Sequence, residues 1–510
     1  MRLLFECTYV YDHPLVNSGI QRVVRNVINH LGASDPGVEC VPVFLRSDGV
    51  YRVNRLAPTR RERWTYRVQE VHQRTQHRYW LFHHRAELVL GLDRFARARW
   101  LMERCFRLVS MLFVFSFVTA LLLLEPGRLH LRLRPWFDRT RNRYWLRHQT
   151  LENFLRLPGR RALRYAVYQL ARLGSLSFVL PWRLATVLSS PPQDGGRADR
   201  LVAQAGDVLV LLDSSWHSDF FALTEKLKSE GVGIVAVVYD LIPLTHPQFC
   251  DENLVRVFDQ WFGWVARTAD GFVAISQTIS DQVRQDLIRR IGAQAGEWKW
   301  HGSFRLGSEL DQVRADGLVR KPVQSMFALD LPVYLMVGTI EPRKNHAYLV
   351  DAFEKIWADG GQVALCIVGK VGWKCADLVH RICQHPELGK RLFMFNDLSD
   401  TELGRCYQQS KALVFPSFVE GFGLPLVEAM QRGLPAFASD IAVFREVGGD
   451  FLAYFDITDP ASLARSILEF ENSGQFPAAK AVSDWVWPGW KASAQELVRV
   501  ISSHAHRHQR

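Results

Sequence analysis

The residues best suited to chemistry lie in two glycine loops. In Val414-Phe-Pro-Ser-Phe-Val-Glu420-Gly421-Phe422-Gly423-Leu424-Pro-Leu-Val-Glu428, an apolar run gives way to glycines and then to helical spacing near Leu424. Free N–H groups at a helix start, with the positive end of the dipole, attract a diphosphate. Gly421 and Gly423 let the backbone approach it, because no Cβ stands in the way. Glu420 and Glu428 flank that anion site. Carboxylates are poor phosphate ligands but good acceptors for sugar and ribose hydroxyls. The plainer alternative is a helix capped by Glu420 with Glu428 in solvent.

The second loop is Val337-Gly338-Thr339-Ile340-Glu341-Pro342-Arg343-Lys344-Asn345. A glycine at a strand end precedes two adjacent cations, in a loop that opens a helix. Arg343 and Lys344 there can neutralise a leaving diphosphate without a metal. Adjacent surface Arg-Lys pairs are also common, and this loop alone decides nothing. No Asp-x-Asp occurs in the chain, so the usual metal–diphosphate clamp is missing and no metal or other cofactor is expected.

Both loops need a strand before them and a helix after them. Apolar runs at Val333–Val337, Val363–Val368, Leu392–Phe395 and Ala412–Phe415 predict strands. They alternate with helices expected near 346–358, 373–384, 400–409 and 424–433. This alternation predicts a doubly wound parallel sheet. A similar series opens the chain: a strand over about 2–10, a turn at Ser18-Gly19, and helical spacing at 20, 23, 24, 27 and 28 with Ser18 as N-cap. It resumes at 207–212, 233–239 and 271–275, where continuous apolar runs read as strands buried on both faces. The domains expected are 1–318, then 327–484, then a C-terminal helix and tail at 485–510. The charged segment 308–326 reads as the linker. Trp485, Trp487 and Trp490 are expected to pack the last helix across both domains, and the histidines at 504–508 to be a frayed tail.

Within the first half, residues 51–190 contain 27 arginines, no lysine and eight acids, whereas the whole 510-residue chain carries only +11. This basic insert, expected to be helical, includes the uncharged run Leu108–Leu124, which as a helix spans roughly 26 Å. A single crossing would put parts of one sheet on opposite sides of a membrane. An interfacial or re-entrant helix is therefore favoured over a buried helix or a true span. The arginines suit an anionic membrane surface. Nucleic acid is not expected as a partner, since no binding motif accompanies the charge. The N-terminus lacks the features of a signal peptide, and eight dispersed cysteines suit reduced thiols. A cytoplasmic protein, peripheral on the inner face of the membrane, is expected.

Together the two loops resemble those of glycosyltransferase family 4, the retaining GT-B enzymes, in which two Rossmann-like domains face each other across a cleft. Glu420-x7-Glu428 is similar to that family's two-glutamate signature. Further similarity runs through Ser18-Gly19-Ile-Gln-Arg22, Asp240-Leu-Ile-Pro243-x2-His246-Pro247, Ala269-Asp270-Gly-x-Val-Ala-Ile-Ser276 and Phe444-Arg-Glu446-Val447, over about 350 residues outside the insert. The resemblance implies that Glu420 contacts the transferred sugar, Glu428 the ribose, and Lys344 the diphosphate. It also implies donor contacts from Gly19, Gly338, Thr339, Arg343, Gly421, Phe422, Gly423 and Leu424, and an orienting role for Asp240. Thr339 stands where relatives often have arginine, so Arg343, or another base, must assist Lys344. Tyr239 stands where many have histidine, leaving His246 a candidate for that role. Asp213 and His217 are weaker candidates for the acceptor side.

The variant Gly-Thr-Ile-Glu-Pro-Arg-Lys-Asn is similar to bacterial mannosyl- and rhamnosyltransferases of surface-polysaccharide assembly, O-antigen included. The expected reaction is retaining, metal-independent hexosyl transfer. The donor would be a nucleotide sugar, GDP-mannose or a relative, and the acceptor a lipid-linked or surface-polysaccharide glycan. The alternatives are an inactive GT-B-shaped scaffold and a nucleotide-sugar hydrolase.

Overall fold

The computed structural model describes residues 1–14, 19–33, 37–58, 198–217, 220–309 and 319–508. It forms two compact units. One holds 1–12, 16–56 and 197–510. The other, 13–15 and 57–196, falls almost wholly outside the described residues, and with it the insert expected to be helical and the run Leu108–Leu124. Ser18, the expected N-cap, also lies outside them.

The first unit contains two sheets. In the first, β1 (Arg2–Glu6), β2 (Glu39–Arg46), β3 (Gly49–Val53), β4 (Ala198–Leu201), β5 (Val208–Leu211), β6 (Gly233–Val238), β7 (Gly271–Ala274) and β8 (Trp300–Ser303) take the order β4-β3-β2-β1-β5-β6-β7-β8. From β2 to β8 every pairing is parallel, and β3 and β4 add an antiparallel edge. The second sheet contains β9 (Val333–Val337), β10 (Ala364–Val368), β11 (Leu392–Phe395), β12 (Ala412–Phe415), β13 (Ala436–Ser439) and β14 (Ala453–Phe455). It is parallel throughout, in the order β11-β10-β9-β12-β13-β14. This is the doubly wound order, whose crevice opens where the winding reverses, beyond the carboxyl ends of β9 and β12. The two glycine loops follow β9 and β12. Two Rossmann-like domains are therefore present, as expected.

Continuous apolar strands make this arrangement stable. Every residue of β5, β7, β9, β10 and β12 is buried, as strands covered by helices on both faces must be. The last helix, Trp490–His508, crosses back to lie against Gly19–His30 and β8 of the first domain. Trp487 Nε1 donates to Leu306 O and Trp485 Nε1 to Val447 O, so the tryptophans tie the two domains as expected.

Several local expectations are corrected. The first strand ends at Glu6, because Glu6 Oε1 accepts the Thr8 N–H and starts a short helix at Thr8–Asp12. Residues 321–327 are a helix instead of linker: Val323 and Met326 are buried, and Arg320 pairs with Asp397 and Glu402 of the second domain. The helix after the two-glutamate loop stops at Met430, where Gly433 (φ 72°) turns the chain. The terminal histidines continue a helix, and His504 stacks on Trp300 at 4.6 Å. Among the described residues, no helix is long and apolar enough to cross a membrane.

Candidate active site

The second glycine loop presents its cations to the first loop's glutamate. Pro342–Lys344 form one 3-10 turn, closed by Asn345 in the left-handed region at φ 54°. That turn places Arg343 and Lys344 on one carboxylate. Arg343 Nη1 meets Glu420 Oε2 at 2.7 Å, and Lys344 Nζ pairs with Glu420 Oε1. Arg343 Nε also reaches Glu341 Oε1 at 2.7 Å. The Phe418 N–H donates to Arg343 O at 2.8 Å, which fastens the two loops by their backbones.

Charges this deep change each other's protonation. Burial works to raise the Glu420 carboxyl, but Arg343 and Lys344 overcome it and hold it at about 2. Burial pushes the Lys344 ammonium down, with Arg343 adding to the effect and Glu420 opposing it. Burial alone would lower Arg343 too, yet Glu420, Glu341 and Asp240 raise it. Next to Lys344, the buried His346 is driven down to about 3 by burial and by that ammonium, so it is neutral. Asp240 lies within this field: burial raises its carboxyl and Arg343 partly offsets the rise. Its Oδ1 accepts the Ile242 N–H at 3.0 Å.

The segment 418–428 of the second domain meets the first domain at several points along its length. Gly421 touches Tyr239 and Asp240 so closely that a Cβ would lie 2.2 Å from the Tyr239 carbonyl oxygen. Ser276 Oγ donates to Gly421 O at 3.1 Å. Gly423 sits at φ 99°, where glycine is favoured, against the Phe444 ring. A Cβ on Gly19 would lie 3.9 Å from Leu424, which brings that glycine to the start of the second-domain helix. One turn further along both helices, Arg22 Nη2 meets Glu428 Oε1 at 2.5 Å. Tyr407 donates to Glu428 Oε2 at 2.8 Å. Phe422 turns its ring toward Trp487, 5.8 Å away. Gly338 lies against the Lys344 side chain, and Thr339 next to Gly372.

The predicted residues thus gather as one cluster (Lys344, Arg343, Glu420, Asp240, Gly338, Gly421) with a second centre around Gly19, Leu424 and Glu428. Sequence reading gave no role to Arg22 or Tyr407. The i+3 spacing of Arg22 from Gly19, matching the four-residue step from Leu424 to Glu428, was the available signal. Asp213 does not join either group. It is buried, with Oδ2 accepting from Val10 N and Oδ1 from Ser214 N, each at 2.7 Å.

Asp213 neighbours the buried Glu6, whose carboxyl accepts the N–H groups of Thr8 and Asp213. Burial, with Asp213 adding repulsion, pushes Glu6 up from 4.5 to about 8. Glu6 therefore keeps its proton when folded and releases it when unfolded across that interval. Stability is fully present below the lower value and is lost as pH rises toward the higher one. The melting temperature is expected to fall between pH 5 and 8, and Glu6→Gln to flatten that decline. An unaltered slope in the variant would exclude Glu6 as its origin.

Residues 320–482 match the family described as glycosyl transferases group 1. Outside the family match, the serotype-specific mannosyltransferase WbdA of Escherichia coli is 32% identical over 313 residues, 60% of this chain and 38% of WbdA. The O-antigen chain mannosyltransferase B of Escherichia coli is 26% identical over 259 residues, 50% of this chain and 65% of that one. The chain thus spans about two fifths of the length of WbdA. Anabaena Alr3699/HepE, solved in complex with UDP and glucose, aligns over 58% of this chain and 78% of its own, with 16% identity and a TM-score of 0.44.

Proposed function

We propose that this chain is a retaining, metal-independent glycosyltransferase that moves a hexose, mannose or a relative, from a GDP-sugar to a lipid-linked or surface-polysaccharide glycan. One observation carries the reading: Lys344 and Arg343 converge on the buried Glu420 at the switch point of the second sheet, against Asp240 of the first domain. The names of the relatives, mannosyltransferases of serotype and O-antigen chains, support the sugar and the pathway class.

The arrangement supplies the steps as follows. Glu420 occupies both cations in this structure. A diphosphate carries more negative charge and competes for Lys344 and Arg343, which releases Glu420 to accept hydrogen bonds from the sugar hydroxyls. The ribose hydroxyls donate to Glu428. As the anomeric C–O bond breaks, charge builds on the leaving diphosphate, where the cations and loop N–H groups are already aimed. The acceptor hydroxyl attacks from the side that the diphosphate leaves, and a diphosphate oxygen takes its proton. Peripheral attachment to an anionic membrane, at the cytoplasmic face, is assigned to 51–190 on the strength of its arginines and uncharged run.

Titration with GDP-, UDP-, ADP- and dTDP-sugars should single out the GDP form, and transfer should persist in EDTA. Glu428→Gln should raise the donor KM by about 10- to 100-fold, the loss of hydrogen bonds to a charged acceptor. Deletion of 59–190, which spares β3, should abolish flotation with anionic vesicles. If no nucleotide sugar binds, the reading fails.

A further inference from the structure

Beyond the Glu420 cluster, the segment that crosses the domains ends in an aromatic column. His246 and Phe249 of the first domain stack with centroids 6.1 Å apart and planes 7° apart. Phe249 stacks in turn on Phe418 of the second domain, at 5.5 Å and 16°. Phe418 is 38% exposed, although two residues later Glu420 is buried. The loop that follows β10 fixes the column from the side: Trp373 Nε1 donates to Phe249 O at 2.7 Å, and Lys374 Nζ to Cys250 O at 2.8 Å. The column adjoins the charged cluster, since Asp240, Glu341, Arg343 and Lys374 all act electrostatically on the Cys250 thiol.

The order of contacts along 418–428 gives this column a task. Glu428 and Leu424 lie at one end, Glu420 with Asp240 in the middle, and Phe418 at the other end. In the reading above, nucleotide fills the first and the transferred hexose the second, so the acceptor must arrive past the third. A pyranose ring has one face made largely of C–H groups, and such a face packs on the electron-rich face of an aromatic ring. We propose that Phe418, backed by Phe249 and His246, is the platform on which the glycan acceptor's terminal pyranose stacks. An open groove bordered by the same first-domain loop, lined by Pro243, Thr245, Pro247, Glu252 and Arg256, gives room for further sugar residues.

This inference rests on the glycosyltransferase reading, and the test separates the two. With GDP-mannose and a mannotriose acceptor, Phe418→Ala should raise the acceptor KM about tenfold or more and leave the donor Kd within twofold. The Phe418 N–H that holds Arg343 is a backbone group and survives the substitution. Phe418→Tyr should restore the acceptor KM to within threefold, and Phe249→Ala should reproduce the Phe418→Ala defect. Saturation-transfer NMR with mannotriose alone, without donor, should show binding to the parent chain and its loss in Phe418→Ala. An unchanged acceptor KM and unchanged NMR contact in Phe418→Ala would overturn the platform while the donor reading stands. A change only in the oligomeric state of Phe418→Ala, seen by sedimentation, would overturn it in favour of a contact between copies. Absence of donor binding in the parent would instead defeat the parent reading, and the NMR comparison would still decide the platform.

Discussion

Lys344→Ala is expected to lower kcat for hexosyl transfer by about 10²- to 10³-fold, the usual effect of removing one preorganised group that stabilises a developing oxyanion. The expectation follows from the position of this lysine. Its ammonium is buried, paired with Glu420 and 4.6 Å from the centroid of the Phe415 ring. A cation held there has no solvent to reorganise when charge builds on the leaving group. The substitution also strips Glu420 of one of two partners. Breaking a buried pair commonly costs about 3–5 kcal/mol, but Arg343 remains at 2.7 Å and should keep the loss toward the lower end. Activity must therefore be measured on protein shown by its melting curve to be folded. Lys344→Arg keeps the charge but adds a planar fork to a site closed by Gly338, and should recover stability better than rate. Glu420→Gln should lose transfer as well, through the opposite imbalance: two cations with no carboxylate between them. Full transfer rates in a folded Lys344→Ala chain would remove the electrostatic basis of the proposed mechanism.

The parts of this molecule legible in its sequence are those whose cause is local. Val333–Val337 and Ala412–Phe415 announce buried strands because a parallel strand covered on both faces must be apolar at each position. The glycine loops after them are legible for the same reason: their function is written in consecutive residues. The edge strands Gly49–Val53 and Ala198–Leu201 gave no such signal. They pair antiparallel across the insert, with register Val50 to Leu201; the first mixes buried with exposed positions and the second has no buried position. The segment reads as linker because its helix is only seven residues long, with Val323 and Met326 buried, too short to reveal a periodicity.

The site divides along the same line. Lys344, Arg343 and Glu420 were named from their types and flanking glycines, and the fold brings them together. The Arg22–Glu428 pair joins residues some 400 positions apart, and only the docking of the two domains makes it. Asp213 shows the converse: a carboxylate after a strand looks available, but the chain folds its own N–H groups of Val10 and Ser214 onto it. The aromatic column has three members in two separate loops, and no spacing rule could have assembled them.

Gly421→Ala tests the contact between domains without touching a charge. Its added methyl would lie 2.2 Å from the Tyr239 carbonyl oxygen and 3.1 Å from Asp240 Cβ. Neither neighbour can yield cheaply, because Tyr239 is buried with its hydroxyl donating to Leu212 O, and Asp240 accepts from Ile242 N. Relief must come from the loop, which would withdraw from the first domain by about an ångström. Displacement on that scale at a reacting centre costs about 10²-fold in rate, and overpacking costs about 1–3 kcal/mol in stability. Gly421→Ala is therefore expected to lower kcat/KM about 100-fold with a melting point a few degrees below the parent. The Glu428 end of the segment sits on its own helix, held by Tyr407 and Arg22, so affinity for GDP itself should change little. Loss of GDP binding together with rate would mean that the whole crossing segment moves as one piece. Retention of both would mean that the domains part at this glycine during turnover and that its closeness to Tyr239 plays no part in catalysis. The expected split, rate lost and nucleotide kept, would place the catalytic requirement at the approach of Glu420 and Arg343 to Asp240, where the two sheets present their carboxyl ends to one another.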